Sequence, residues 1–166
     1  MSDKRGAEDR ALPRPPRPQG DYAPAVVAPF GAGLVLVASA GMTPRRDGEL
    51  SVTGLVGREV DAVAAHDAAG IAARNAVSAV AAAAGGPGRV RTWLRMTVYV
   101  ACADGFTALS AVADGASAAL AELTPDVAPP ARSAIGVRAL PGGAPVEVEL
   151  TALALAPAGD IPVEDR

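Results

Sequence analysis

The chain has 166 residues, half of them apolar, and a formal net charge of −3 at pH 7. That length suits one domain, with a core drawn more from Ala and Val than from the few aromatics. The acidic balance argues against nucleic acid, because phosphate binding draws its affinity from a concentrated basic surface. Cys102 is the only cysteine, which excludes an internal disulfide. No stretch is long and apolar enough to span a bilayer. The early charges Lys4, Arg5, Glu8, Asp9 and Arg10 have no apolar run behind them, unlike a secretory signal. A cytoplasmic location is expected.

Residues 1–19 are charged and then Pro-rich, with Pro13, Pro15, Pro16 and Pro18 among arginines. Such a segment buries too little to offset its ordering entropy, so a flexible arm is expected, and a similar tail over 157–166. Between them, residues 20–156 read as one β-β-α-β-α-β domain. The run Ala25 to Ala28, a turn at Phe30-Gly31-Ala32-Gly33 and the run Leu34 to Ser39 predict a hairpin. A loop follows, punctuated by Pro44 and Asp47-Gly48. From Arg58 to Ala84 the spacing turns helical, with a stripe through Val60, Val63, Asp67, Ile71, Val77 and Val80, and Gly85 to Gly88 ends it.

Val90 to Val100 alternates with period two. One predicted face holds Val90, Thr92, Leu94, Met96, Val98 and Val100, and is assigned to helix packing. The other holds Arg91, Trp93, Arg95, Thr97 and Tyr99, and suits a subunit interface better than open water. Phe106, Leu109, Ala113, Ala116, Leu120 and Leu123 predict a second amphipathic helix. Strands are expected from Ser133 to Leu140 and from Val146 to Leu155, across a turn at Pro141-Gly142-Gly143. Two helices on one face of a mixed sheet make an α+β domain whose other face needs a partner.

Few residues offer chemistry. His66 is the only histidine and lies within a helix, with no second ligand to suggest zinc. Cys102 reads as an inert thiol. What remains is Arg132 at the mouth of a strand, and Glu147 and Glu149 on one face of the next. A guanidinium can clamp a carboxylate through two parallel bonds, and an inward glutamate is costly unless paired or functional. Spacing alone leaves open whether Arg132 pairs with one of these glutamates or holds a ligand.

Four segments carry a resemblance. Ala131-Arg132-Ser133, Leu140-Pro141 and Val146-Glu147-Val148-Glu149 are similar to the signature end of the Rid (reactive intermediate deaminase) or YjgF-like family. Gly20 to Ala25 is similar to its tyrosine-bearing entry, Ser39 to Pro44 with Asp47 to Leu50 to its "S-G-Q-I-P … G-E-L" loop, and Val90 to Val100 to its "V-K-x-T-V-F-V" strand. The resemblance spans about Gly20 to Leu155 and looks closest to a longer branch. It implies a chorismate-mutase-like homotrimer with a barrel-like core and pockets between subunits. It implies that Arg132 holds the carboxylate of a 2-imino acid, that Glu147 serves the hydrolytic water, and that Tyr22 and Gly41 line the pocket. Ala134 and Asp114 fall where many members have Cys and Asn, and Ala40 and Met42 where many have Ser and Gln. Those departures bear on substrate identity.

The function so implied is hydrolytic deamination of small 2-imino or enamine acids to 2-keto acids and ammonia, without metal or cofactor. The alternatives are a dedicated biosynthetic enzyme on a larger imine, enamine or ester, and a non-catalytic small-carboxylate-binding or chaperone-like trimer. The expected partners are a small carboxylate and further copies of the chain, with no nucleic acid and no membrane.

Overall fold

A computed structural model of the chain describes residues 12–156. The elements run β1 (Ala25–Gly31), β2 (Leu34–Ser39), β3 (Arg45–Arg46), β4 (Glu49–Leu50), α1 (Ala62–Ala84), β5 (Val90–Ala101), α2 (Leu109–Leu123), β6 (Ala131–Val137) and β7 (Val146–Leu155). The main sheet has the order β1-β2-β7-β5-β6. Only the β5–β6 ladder is parallel, as the helical crossover through α2 requires. The predicted α+β architecture with two helices against a mixed sheet is the observed one.

Local chemistry sets the element ends. Asp61 caps α1, its carboxylate accepting from the Ala64 amide at 2.8 Å, so the helix begins at Ala62 and not at Arg58. Asp47 and Gly48 both have positive φ in the β3–β4 turn, the backbone a two-residue Asp-Gly hairpin needs. The strand predicted from Val146 to Leu155 has those bounds, and it alternates buried and half-buried along its whole length.

The buried face of α1 agrees with the predicted stripe at Val77 and Val80 and departs from it at the N-terminal end. Val63 is 73% exposed and Asp67 is exposed, whereas Ala65, Ala68, Ala69, Ala72, Ala73 and Ala76 are buried. The hydrophobicity of Val63 pointed to the wrong side, and Ile71 is half-buried, because this part of the helix packs by small size. At the α1–α2 crossing a Cβ on Gly115 would overlap the His66 carbonyl oxygen. Larger side chains on that face would hold the helices apart, which is why alanine and glycine occupy it.

β5 also departs from strict alternation. Its pairing with β7 slips between Val90 and Thr92 and again between Trp93 and Arg95. Each slip sets two residues of β5 against one of β7, which is a β-bulge. Trp93 therefore turns to the helix side, 3% exposed, and its indole N–H donates to Thr124 Oγ1 at 2.9 Å. Thr92 moves to the open face, and Leu94 is exposed. The assignment of Trp93 to the interface face, and of Thr92 and Leu94 to the helix face, is thus corrected by the bulges. Arg95 and Tyr99 do lie on the side away from the helices, with Glu147 and Glu149.

Most of the expected arm and all of the expected tail, 157–166, lie outside the described residues. The described part of the arm makes contacts. Leu12 packs against the core, and the buried Ser78 hydroxyl donates to the Pro13 carbonyl at 2.6 Å. No helix among the described residues is long and apolar enough to cross a membrane.

Candidate active site

The first group of predicted site residues gathers where the chain leaves β2. Met42 and Val148 exchange backbone hydrogen bonds of 2.8 and 2.9 Å. This bridge presses Gly41 against the neighbouring Glu147. A Cβ on Gly41 would lie 2.9 Å from Glu147 Cγ and closer still to the carboxyl. Two further bonds hold the loop: the buried Asn75 amide donates to the carbonyls of Thr43 at 3.1 Å and Arg45 at 2.9 Å. Tyr22 stands at the entry to β1, 46% exposed. Its strand is tied to the same loop, since the Ala40 amide donates to the Pro24 carbonyl at 2.9 Å.

Glu147 is half-buried, and its carboxyl is held above the ordinary carboxylate range, first by burial and then by the charge of Glu149. Across the ladder, the Tyr99 hydroxyl donates to Glu149 Oε1 at 3.1 Å. Burial and that carboxylate push the Tyr99 phenol upward, so it stays a donor. Glu147 has no cation beside it among its described neighbours; it is a carboxyl in an apolar setting with a like charge nearby.

The second group lies at the β6 edge. Arg132 Nη1 donates to Asp114 Oδ1 at 2.8 Å and to Ser117 Oγ at 2.7 Å. Asp114 and Ser117 are three apart on α2 and so share one face of it. Ala134 lies two residues along β6, on the same sheet face as Arg132, and contributes only a methyl group. Ser117 was not among the predicted site residues. The resemblance places Asp114 with Arg132 in the pocket, but nothing in the sequence singles out Ser117.

These two groups face opposite ways. Arg132 pairs with Met96, which pairs with Leu150, and both partners are buried under the helices. Glu147 pairs with Tyr99 and lies three residues from Leu150, so it points to the other side. Within one chain Arg132 and Glu147 do not meet, and the ion pair that spacing left open is formed with Asp114 instead. Among the described residues no cluster of His, Cys, Asp and Glu could hold a metal. His66 sits on α1 with Nδ1 3.4 Å from Asp67 Oδ1, and Cys102 is partly buried after β5.

Comparisons with known proteins agree with this architecture. A family model described as Endoribonuclease L-PSP matches residues 14–154. Protein TCP17 of Trypanosoma cruzi is 36% identical over 110 residues, which is 66% of this chain and 69% of that protein. The crystal structure of the protein Atu1372 from Agrobacterium tumefaciens superposes with a TM-score of 0.74 at 32% identity, covering 82% of this chain and 85% of that one. Escherichia coli TdcF, solved with bound serine, superposes with a TM-score of 0.58 at 23% identity, covering 87% and 94%.

Proposed function

This chain belongs to the YjgF/Rid family, and on that premise we propose that it hydrolyses small 2-imino or enamine acids to 2-keto acids and ammonia. The pocket is shared between copies of a homotrimer, joining Arg132 of one copy to Glu147 of its neighbour. The observation that carries this reading is the opposite facing of the two residues. Neither half is a site alone, and closed symmetry can bring unlike faces of identical chains together. The serine bound to TdcF supports a small carboxylate ligand on this fold.

In this mechanism Arg132 pairs with the substrate carboxylate, with Tyr22, Gly41 and Ala134 shaping the cavity. Glu147 takes a proton from water as the water oxygen bonds to the imine carbon and the C=N electron pair moves to nitrogen. Glu147 then returns the proton to that nitrogen. The hydroxyl of the resulting carbinolamine then gives its proton to Glu147, which passes it to the amine as the C–N bond breaks, the carbonyl forms and ammonia leaves. A carboxylate of raised pKa suits this double duty, because it accepts a proton more readily than an ordinary one and can still release it. Such a group contributes roughly a hundred- to ten-thousand-fold.

The test is ammonia and 2-ketobutyrate release from 2-iminobutyrate generated in situ. Arg132→Ala is expected to abolish turnover together with keto-acid binding, and Glu147→Gln to abolish turnover while sparing binding. Wild-type turnover by Arg132→Ala sinks the mechanism. Cleavage of RNA by the wild type, with no action on the imine, would replace it with the activity that the family description names.

A further inference from the structure

Arg132 is anchored by one nitrogen. Its Nη1 donates to Asp114 Oδ1 at 2.8 Å and to Ser117 Oγ at 2.7 Å. A guanidinium can take a carboxylate on its end, through Nη1 and Nη2, or on its flank, through Nε and Nη2. Nη1 carries two hydrogens and has two acceptors, so the end is closed. Among the described residues Nε and Nη2 have no partner, so the flank is open. The two anchors stand on a firm support. Ala113 and Ala116, their neighbours on α2, are fully buried, and Gly115 lies close against the His66 carbonyl of α1. The Asp114 side chain is 63% exposed, against 23% for Arg132. An ion pair so open at one partner contributes little to stability, which leaves orientation as what it supplies.

We infer, resting on the carboxylate-binding role proposed above, that Asp114 and Ser117 are positioning residues, which hold Nη1 so that Arg132 presents its flank to the substrate carboxylate. The carboxylate then lies across the guanidinium from α2, and neither anchor touches it. Asp114 serves as an acceptor oxygen, and its charge is not what the site uses. Flank docking fixes the plane of the carboxylate, and with it the place of the adjoining imine carbon relative to the attacking water. Without an anchor, the freed Nη1 hydrogen opens the end of the guanidinium to the same carboxylate. The ligand still binds, but in a second orientation that carries its reacting carbon away from the water.

Steady-state kinetics on 2-iminobutyrate and calorimetry with pyruvate, both on the full chain, separate orientation from affinity. Ser117→Ala and Asp114→Ala are each expected to lower kcat about tenfold, the span of one hydrogen bond to a charged group, while pyruvate binds nearly as to the wild type. Ser117→Thr and Asp114→Asn keep an acceptor oxygen and should recover most of the lost kcat. Full kcat in both alanine variants overturns the inference. A loss of pyruvate affinity as large as the loss of kcat overturns it as well, because the anchors would then support binding and not orientation. So does an Asp114→Asn protein as slow as Asp114→Ala, since charge and not the acceptor would be in use. In these three cases the wild type is active and Arg132→Ala is not, so the clamp stands. If the wild type does not act on the imine, or Arg132→Ala acts as well as the wild type, the proposed function fails and this inference with it.

Discussion

Gly41 lies so close to Glu147 that no side chain fits between them. The backbone at Gly41 is not left-handed, so the requirement for glycine comes from the neighbouring carboxyl and not from φ. The atoms in the way are the far end of a flexible side chain, which can swing aside at small cost.

Gly41→Ala therefore separates fold from function. The variant should melt within about 2 °C of the wild type, since the carboxyl can move without disturbing the core. Turnover of 2-iminobutyrate should fall about a hundredfold, because a displaced base loses its line to the water. A large drop in melting temperature with full turnover would show that Glu147 is held by other contacts and that its position does not matter.

The raised pKa of Glu147 gives stability a pH dependence of known sign. The folded protein holds this proton at pH values where the unfolded chain, near the ordinary value of 4.5, has released it. The contribution is fully present below about pH 4.5 and is lost as pH rises through the folded pKa. Glu147→Gln removes this loss. Denaturant melts of the two proteins should run parallel below that pH, and the variant should gain relative to wild type above it. Turnover by the wild type should also lose its acid limb at a higher pH than an ordinary carboxylate would give. A wild type that gains stability over Glu147→Gln as pH rises would show that the carboxylate is stabilised in the fold.

Removing residues 1–18 should destabilise the protein, contrary to what proline density alone suggests. The truncation deletes Leu12 and Pro13, and it leaves the Ser78 hydroxyl, 2% exposed, without its acceptor. A loss of about 1–2 kcal/mol, or about 3–6 °C at fixed protein concentration, is expected. Ser78→Ala in the full chain should show the hydrogen-bond share of that loss. A truncated chain that melts with the wild type would show that these contacts contribute nothing.

The frame of this molecule was legible in its sequence wherever a simple period ran unbroken. Val146 to Leu155 could be placed to the residue, because every second side chain is buried and nothing interrupts the count. The same count failed on β5, where two bulges each consume an extra residue, and a tryptophan assigned to an interface became a core residue bonded to Thr124. Part of the α1 face, around Val63, was missed for another reason: a scale that rewards Val over Ala cannot see packing chosen for small size. In the candidate site the residue types were readable, but spacing alone did not give their grouping. Asp114 and Arg132 are 18 residues apart, and only the fold of α2 against β6 joins them. Asn75 and Ser78 read as ordinary helix residues, although their side chains hold the Gly41 loop and the N-terminal segment.

The facing of Arg132 and Glu147 has a genetic consequence. If each pocket takes one residue from each of two chains, a chain lacking its arginine and a chain lacking its glutamate can repair one another. Arg132→Ala and Glu147→Gln proteins, each inactive alone, should regain activity when unfolded together and reassembled. Random equal mixing leaves about one pocket in four with both residues intact. Two alleles of this gene, each null by itself, would then complement in a cell that carries both.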